Sequence, residues 1–219
     1  MGDWPGYFIS LEGLDGAGKS TQATALALAL RHAGHEVLSV RDPHDTELGG
    51  VVRGFVLQHQ HNPLDPWVEA LLFTAGRVQL LRDVILPALD QGRVVVCDRF
   101  ADSTIAYQGG GRGLPQDALL RLHAQACGDV WPDLTLYLAL PHAVAANRRH
   151  SEQLPVDRME AESESFHAAV AATFDELGRT ETPRIVPVDA ERPAVAVSTE
   201  ICDIALARLG AQRPTVPVT

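Results

Sequence analysis

Eight consecutive residues carry the densest chemistry in the chain: Gly13-Leu14-Asp15-Gly16-Ala17-Gly18-Lys19-Ser20, with Thr21 next. They fill every fixed position of G-x-x-x-x-G-K-[ST]. Glycines let the backbone curl until successive N–H groups point at one phosphate, and no Cβ blocks its approach. A helix beginning at the loop's end adds its partial positive charge. Lys19 brings a full charge to the β- and γ-phosphates of a nucleotide, and the Ser20 hydroxyl can ligate Mg²⁺. The plain alternative is a glycine-rich turn before a helix. The flanks favour chemistry: Tyr7 to Leu11 reads as a buried strand and Thr21 to His32 as a helix, the context this motif needs.

Other residues ask for similar chemistry. Asp98 ends the apolar run Arg93-Val94-Val95-Val96-Cys97, at the strand edge where an open parallel sheet places its ligands. There it can hold Mg²⁺ directly or through water, and Arg99 can meet a phosphate. Arg148 and Arg149 end a helix, and Arg158 lies beyond a short polar loop. Arginines on one mobile loop can close over phosphates and neutralise a transferring group; without a phosphate site they would be a solvated helix end. Phe73 and Arg77 are spaced i, i+4, so an aromatic ring and a planar fork can line one pocket and suit a flat base with carbonyl edges. Read alone, Phe73 would be core.

The elements that must position these residues alternate. Strands are expected at Tyr7–Leu11, Val37–Val40, Arg93–Asp98, Leu134–Leu140 and Arg184–Val188. Helices are expected at 48–60, at 67–89 with a kink at Pro87, and at 102–108, 115–127, 143–150, 161–177 and 193–209. Gly109 to Gly113 reads as a loop, Asn62 to Pro66 as a breaker, and the tail from Gln212 as mobile. This predicts an α/β fold, a parallel five-stranded sheet with helices on both faces, in one domain spanning 1–219. The 219 residues suit one domain with a sizeable core, and the net charge of −10 makes a poor polyanion binder, so nucleic acid is not an expected partner. Cys97, Cys127 and Cys202 lack metal spacing and read as small hydrophobes of a reducing compartment. No membrane span or leader is visible, which predicts a cytoplasmic protein.

The chain resembles the bacterial thymidylate kinases over nearly its whole length. The resemblance lies in Leu11-Glu12 leading into the phosphate loop, Leu72-Phe73-Thr74-Ala75-Gly76-Arg77, Asp98-Arg99-Phe100, and Ser103-Thr104-Ile105-Ala106-Tyr107-Gln108-Gly109-Gly110-Gly111-Arg112-Gly113. Pro132 to Leu138 and Asp157-Arg158-Met159-Glu160 add to it. It implies a P-loop kinase fold, ATP and dTMP as substrates, Mg²⁺, and a homodimer built on helices. By resemblance, Asp15 holds the deoxyribose 3′-hydroxyl or the dTMP phosphate through Mg²⁺, and Arg53 and Arg99 hold that phosphate. Phe73 stacks on thymine, Arg77 bonds its O4, and Thr104, Tyr107 and Gln108 complete the pocket. Arg148 approaches adenine, and a lid spans about 148–160. Some family members carry an arginine inside the phosphate loop, where this chain has Gly16 and Ala17; the charge must then come from the lid, with Arg158 expected first and Arg149 second. The family's Glu-Pro-Gly-Gly-Thr is replaced by Asp42-Pro43-His44-Asp45-Thr46, so no detailed role is expected there. Two rivals remain: a kinase for another small acceptor, and a nucleotide-binding switch. No Asn-Lys-x-Asp guanine signature is present, and lid arginines are surplus to a switch.

Overall fold

Side chains alternate across a strand, so a strand covered on both faces feeds two cores. Strand β1 (Tyr7–Glu12) is buried at every position. Its Tyr7, Ile9 and Leu11 join one hydrophobic cluster, and Phe8 joins another. Strand β3 (Val94–Asp98) splits likewise, with Val94 and Val96 on one side and Val95 and Cys97 on the other. The structure, a computed structural model, describes residues 4–58, 64–151 and 157–212.

Five strands form one sheet in the order β2-β3-β1-β4-β5, every pairing parallel. The others are β2 (Val37–Arg41), β4 (Leu134–Ala139) and β5 (Ile185–Asp189). The helices α1 (Lys19–His32) and α9 (Ala194–Gln212) supply Leu26, Leu30, Ile201 and Ala205 to the first cluster. Over the other face runs a long helical rod. It begins as α3 (Pro66–Leu80), capped where Asp65 accepts from the Trp67 N–H at 2.8 Å. It widens into a π segment over Leu81–Ile85 and ends as α4 (Leu86–Asp90). The change expected at Pro87 thus falls one turn earlier, since a proline without an N–H leaves a carbonyl of the preceding turn unmatched.

Most predicted elements appear with ends shifted by a few residues: α2 (Glu47–Gln58), α6 (Gln116–Cys127), α7 (His142–Ser151) and α8 (Glu164–Thr180). One assignment needs correction. Gly109–Gly111 is not loop: α5 (Ala101–Thr104) runs on as a π segment through Ile105–Gly111. The glycines are there for close packing. A Cβ on Gly110 would lie 2.1 Å from Thr173 Oγ1, and one on Gly111 2.4 Å from the Phe166 ring, both on α8. The tail beyond Gln212, lid residues 152–156 and residues 59–63 fall outside the described residues. Among the described residues no helix is long and apolar enough to cross a membrane.

Candidate active site

The register brings the chemistry to one edge. Leu11 and Arg41 both pair with Asp98, so β1, β2 and β3 end together, and the phosphate loop leaves from that end. Gly16 and Gly18 have φ of 88° and 94°, left-handed values that suit glycine. A Cβ on Gly16 would lie 2.5 Å from the Ala145 carbonyl oxygen, so α7 rests directly on the loop. Lys19 opens α1 and is 5% exposed; its Nζ donates to the Leu14 carbonyl at 2.8 Å and lies 3.5 Å from Asp15. Burial, with the neighbouring Arg99 guanidinium, pushes its pKa down to about 8 against the pull of Asp15.

Arg99 is the hinge of the site. Its backbone sits at φ 72°, a strained value for a non-glycine residue. Its fork reaches Asp15 Oδ1 at 2.7 Å, the Gly13 carbonyl at 3.0 Å and Ser103 Oγ at 3.0 Å, and lies over the Tyr107 ring. Burial opposes the charge on Asp15, yet Arg99 and Lys19 outweigh it and hold the carboxyl well below the usual range. Glu12, fully buried at the end of β1, accepts from the Phe100 N–H and from Ser103 Oγ, each at 2.6 Å. Burial, then the nearby Asp102, raises its pKa to about 8. Glu12 therefore clamps the backbone on one side of Arg99 and a hydroxyl that binds its fork.

Two cavities open here. A slot is lined by Phe73, Arg77, Thr104, Tyr107, Gln108 and Met159, among others. A basin is lined by the phosphate loop with Ser20, Thr21, Asp98 and Arg149. Asp15, Asp42, Arg53 and Arg99 line both, so the two cavities share a wall. In the slot, Arg77 is buried; its Nε donates to Asp42 at 2.6 Å and its Nη2 to Thr104 Oγ1 at 2.9 Å and to the Phe100 carbonyl. Among the described residues no hydrogen-bond partner takes Nη1. Asp42 thus has a role the sequence did not suggest, because its partner lies 35 positions away. Its second oxygen is buried with no partner among the described residues, and burial raises its pKa although Arg77 opposes this.

The two arginines expected to supply charge from the lid, Arg158 and Arg149, have different surroundings. Arg149 lines the basin, and Glu160 holds its Nη2 at 2.7 Å. Arg158 is turned away: its Nε donates to the Val56 carbonyl at 2.8 Å and its Nη2 pairs with Glu69, which is fully buried. Arg158 lines neither cavity and is held instead by Glu69 on α3. Arg148 also lines neither; it donates to the carbonyl of Ala190, the residue after β5, at 2.9 Å. Glu69 also accepts from Gln108 at 2.7 Å and from Arg112 at 3.3 Å. Sequence reasoning missed it, although the spacing Glu69, Phe73, Arg77 was visible as one helix stripe.

Ser20 Oγ donates to Asp98 Oδ2 at 2.5 Å. A hydroxyl and a carboxylate are hard oxygen donors that fit Mg²⁺, which keeps several waters and leans on substrate phosphates. Among the described residues no group of three or more His, Cys, Asp or Glu could hold a metal ion.

A parallel sheet with a phosphate loop between β1 and α1, and a second slot across the wall, defines the class: a P-loop kinase fold. The comparisons narrow it. A family model described as thymidylate kinase matches residues 11–201. A thymidylate kinase of Cereibacter sphaeroides is 44% identical over 213 residues, covering 95% of this chain and 98% of that one. Another, from Thermomicrobium roseum, is 43% identical over 192 residues, covering 88% and 90%. A crystal structure of thymidylate kinase from Ehrlichia chaffeensis superposes with a TM-score of 0.73 at 28% identity, covering 91% of this chain and 98% of that one. The chain belongs to the thymidylate kinase family.

Proposed function

We infer that this chain transfers the γ-phosphoryl group of ATP to dTMP, giving ADP and dTDP. The observation that carries the reading is the shared wall. A phosphate basin and a base-sized slot meet at Asp15, Asp42, Arg53 and Arg99, so an acceptor phosphate and a donor phosphate can face each other in line. No covalent intermediate is needed; the protein positions and neutralises.

Lys19 and the loop amides from Gly13 to Ser20 bind the donor phosphates, with Thr21 beside them. Arg149 meets charge on the transferring group, and Glu160 holds it ready for that. Arg99 and Arg53 bind the acceptor phosphate. Phe73 stacks on the base while Arg77 Nη1 donates to its 4-carbonyl, and Thr104, Tyr107 and Gln108 close the slot. Arg148, held at the Ala190 carbonyl, is assigned the approach to adenine on the family resemblance alone. Ser20 and Asp98 would hold Mg²⁺, which when bound supplies charge neutralisation on the β- and γ-phosphates. Asp15 is first an anchor for Arg99, and the 3′-hydroxyl is its second partner.

The same reading makes the protein one catalytic domain with a lid near 148–160, working in the cytoplasm where its nucleotides are. It also makes it a homodimer. Val51 on α2 and Val68 and Leu71 on α3 are exposed, and these helices pack together, presenting an apolar face suited to a second copy.

The test is ADP release across dTMP, dUMP, dCMP and the purine monophosphates. dTMP should be best, and dUMP weaker by the loss of one methyl contact. dCMP should fall by about 10-fold or more, since its amine would face an arginine donor. Equal efficiency with dCMP and dTMP refutes this slot.

A further inference from the structure

The two oxygens suited to a divalent ion already bind a cation of the protein itself. Arg41 donates from Nη2 to Ser20 Oγ at 2.7 Å and from Nε to Asp98 Oδ2 at 3.2 Å, completing a ring with the Ser20–Asp98 bond. The β2–β3 register puts Arg41 opposite Asp98, and the Arg41 N–H is tied to Asp45 at 2.7 Å. The backbone is therefore fixed, while the side chain is 41% exposed, so solvent lies beside it on the basin side. A metal ion on these oxygens would use the lone pairs the guanidinium now occupies. It would also enter a basin that already holds Lys19, Arg53, Arg99 and Arg149. The same crowding bears on Arg53, whose pKa is lowered by burial and then by Arg41 and Arg99.

We propose that Arg41 is the resident counter-cation of the Ser20–Asp98 pair, and that a divalent ion takes these oxygens only by displacing it. Metal then enters together with nucleotide phosphates, which offset the added charge and give Arg41 an anion to turn to, rather than ahead of them. This rests on the nucleotide-kinase reading of the same basin.

The experiment titrates Mn²⁺ into the nucleotide-free protein and follows the electron paramagnetic resonance of the free ion. Wild type should bind weakly. Arg41→Gln should bind about tenfold tighter or more, as expected when a like charge leaves a pair only a few ångströms away. Arg41→Lys, which keeps the charge but not the fork, should fall between. The double variant Arg41→Gln, Asp98→Asn should lose the gain. With saturating ADP, wild type and Arg41→Gln should converge to within about threefold, because the phosphates have already drawn Arg41 away. Equal Mn²⁺ affinity of wild type and Arg41→Gln without nucleotide overturns the proposal. So does a gain that survives Asp98→Asn, or one that persists undiminished with ADP. If wild type still phosphorylates dTMP in any of those cases, the kinase reading stands and only the exchange falls.

Discussion

Arg149 and Arg158 flank the same lid, carry the same charge and have opposite surroundings, so truncating each should give opposite results. Arg158 pairs with a fully buried carboxylate and donates to the Val56 carbonyl. Removing one partner of a buried pair costs about 3–5 kcal/mol when nothing replaces it. Here Gln108 and Arg112 still reach Glu69 Oε1, so the loss should be nearer about 2–3 kcal/mol, a Tm drop of roughly 4–12 °C for a chain of this size. Arg149 instead lines the basin, tied only at its tip to Glu160, and each is 11% exposed. Arg149→Ala should cost only about 1 kcal/mol, a Tm drop of about 2–4 °C, because Glu160 lines the basin, where water can replace the guanidinium. It should lower kcat by about 10²–10³, the usual effect of removing a preorganised charge from a transition state.

The assay pairs thermal melting with steady-state turnover at saturating ATP and dTMP. Arg158→Ala should melt early and, below its Tm, show mainly a raised KM for dTMP. Its pair with Glu69 supports Gln108, whereas no atom of Arg158 lines the phosphate basin. Arg149→Lys should recover little, since an ammonium lacks the planar fork. If Arg149→Ala turns over within about threefold of wild type, or if Arg158→Ala loses kcat at an unchanged Tm, the assignment is wrong.

Two further predictions follow from buried groups. Lys19 in the free enzyme titrates near pH 8, so kcat/KM for ATP should fall above that pH while kcat stays flatter, since bound phosphates restore the charge. The unfolded lysine keeps its proton to higher pH, so stability should rise rather than fall between about pH 8 and 10 as this burial penalty is relieved; parallel descents of kcat and kcat/KM would contradict the account. Gly110→Ala, whose Cβ would meet Thr173 Oγ1 at 2.1 Å and the Ala169 carbonyl at 3.0 Å, should cost about 1–3 kcal/mol by overpacking; an unchanged Tm in melting experiments would show that α8 gives way.

What could be read ahead of the structure follows the range of the forces involved. The phosphate loop is local: its glycines, lysine and hydroxyl act within eight positions, so Lys19 and Ser20 stood out. The strands were legible because burial on both faces leaves continuous runs such as Val94-Val95-Val96-Cys97. The glycine run was misread because glycine signals both a turn and close helix packing, and only the position of α8 tells them apart. The charged pairs were hardest. Asp42 finds Arg77 at a separation of 35, Glu69 finds Arg158 at 89, and Arg41 finds Asp98 at 57. Such pairings are set by sheet register and helix placement, which no local pattern states.

Those pairings also resolve an apparent contradiction. A chain with a net charge of −10 is an odd host for polyphosphates. Around this site, however, the acids fix arginines in place: Asp15 holds Arg99, Asp42 holds Arg77, Glu69 holds Arg158, Asp98 holds Arg41 and Glu160 holds Arg149. An arginine already held in place has less conformational freedom to lose when phosphate arrives. The pairs divide by access. Asp42 and Glu69 have side chains no more than 2% exposed, so their arginines are locked into the slot and the lid. Asp15, Asp98 and Glu160 are 36%, 9% and 11% exposed and face the basin, where phosphate can compete for the same guanidinium. On the proposed function, the sealed pairs shape the cavity and the open pairs would exchange a carboxylate for the substrate's oxygens. Arg149 thus lines the basin while Arg158 is sealed against Glu69, which is the geometric ground for the role proposed for Arg149.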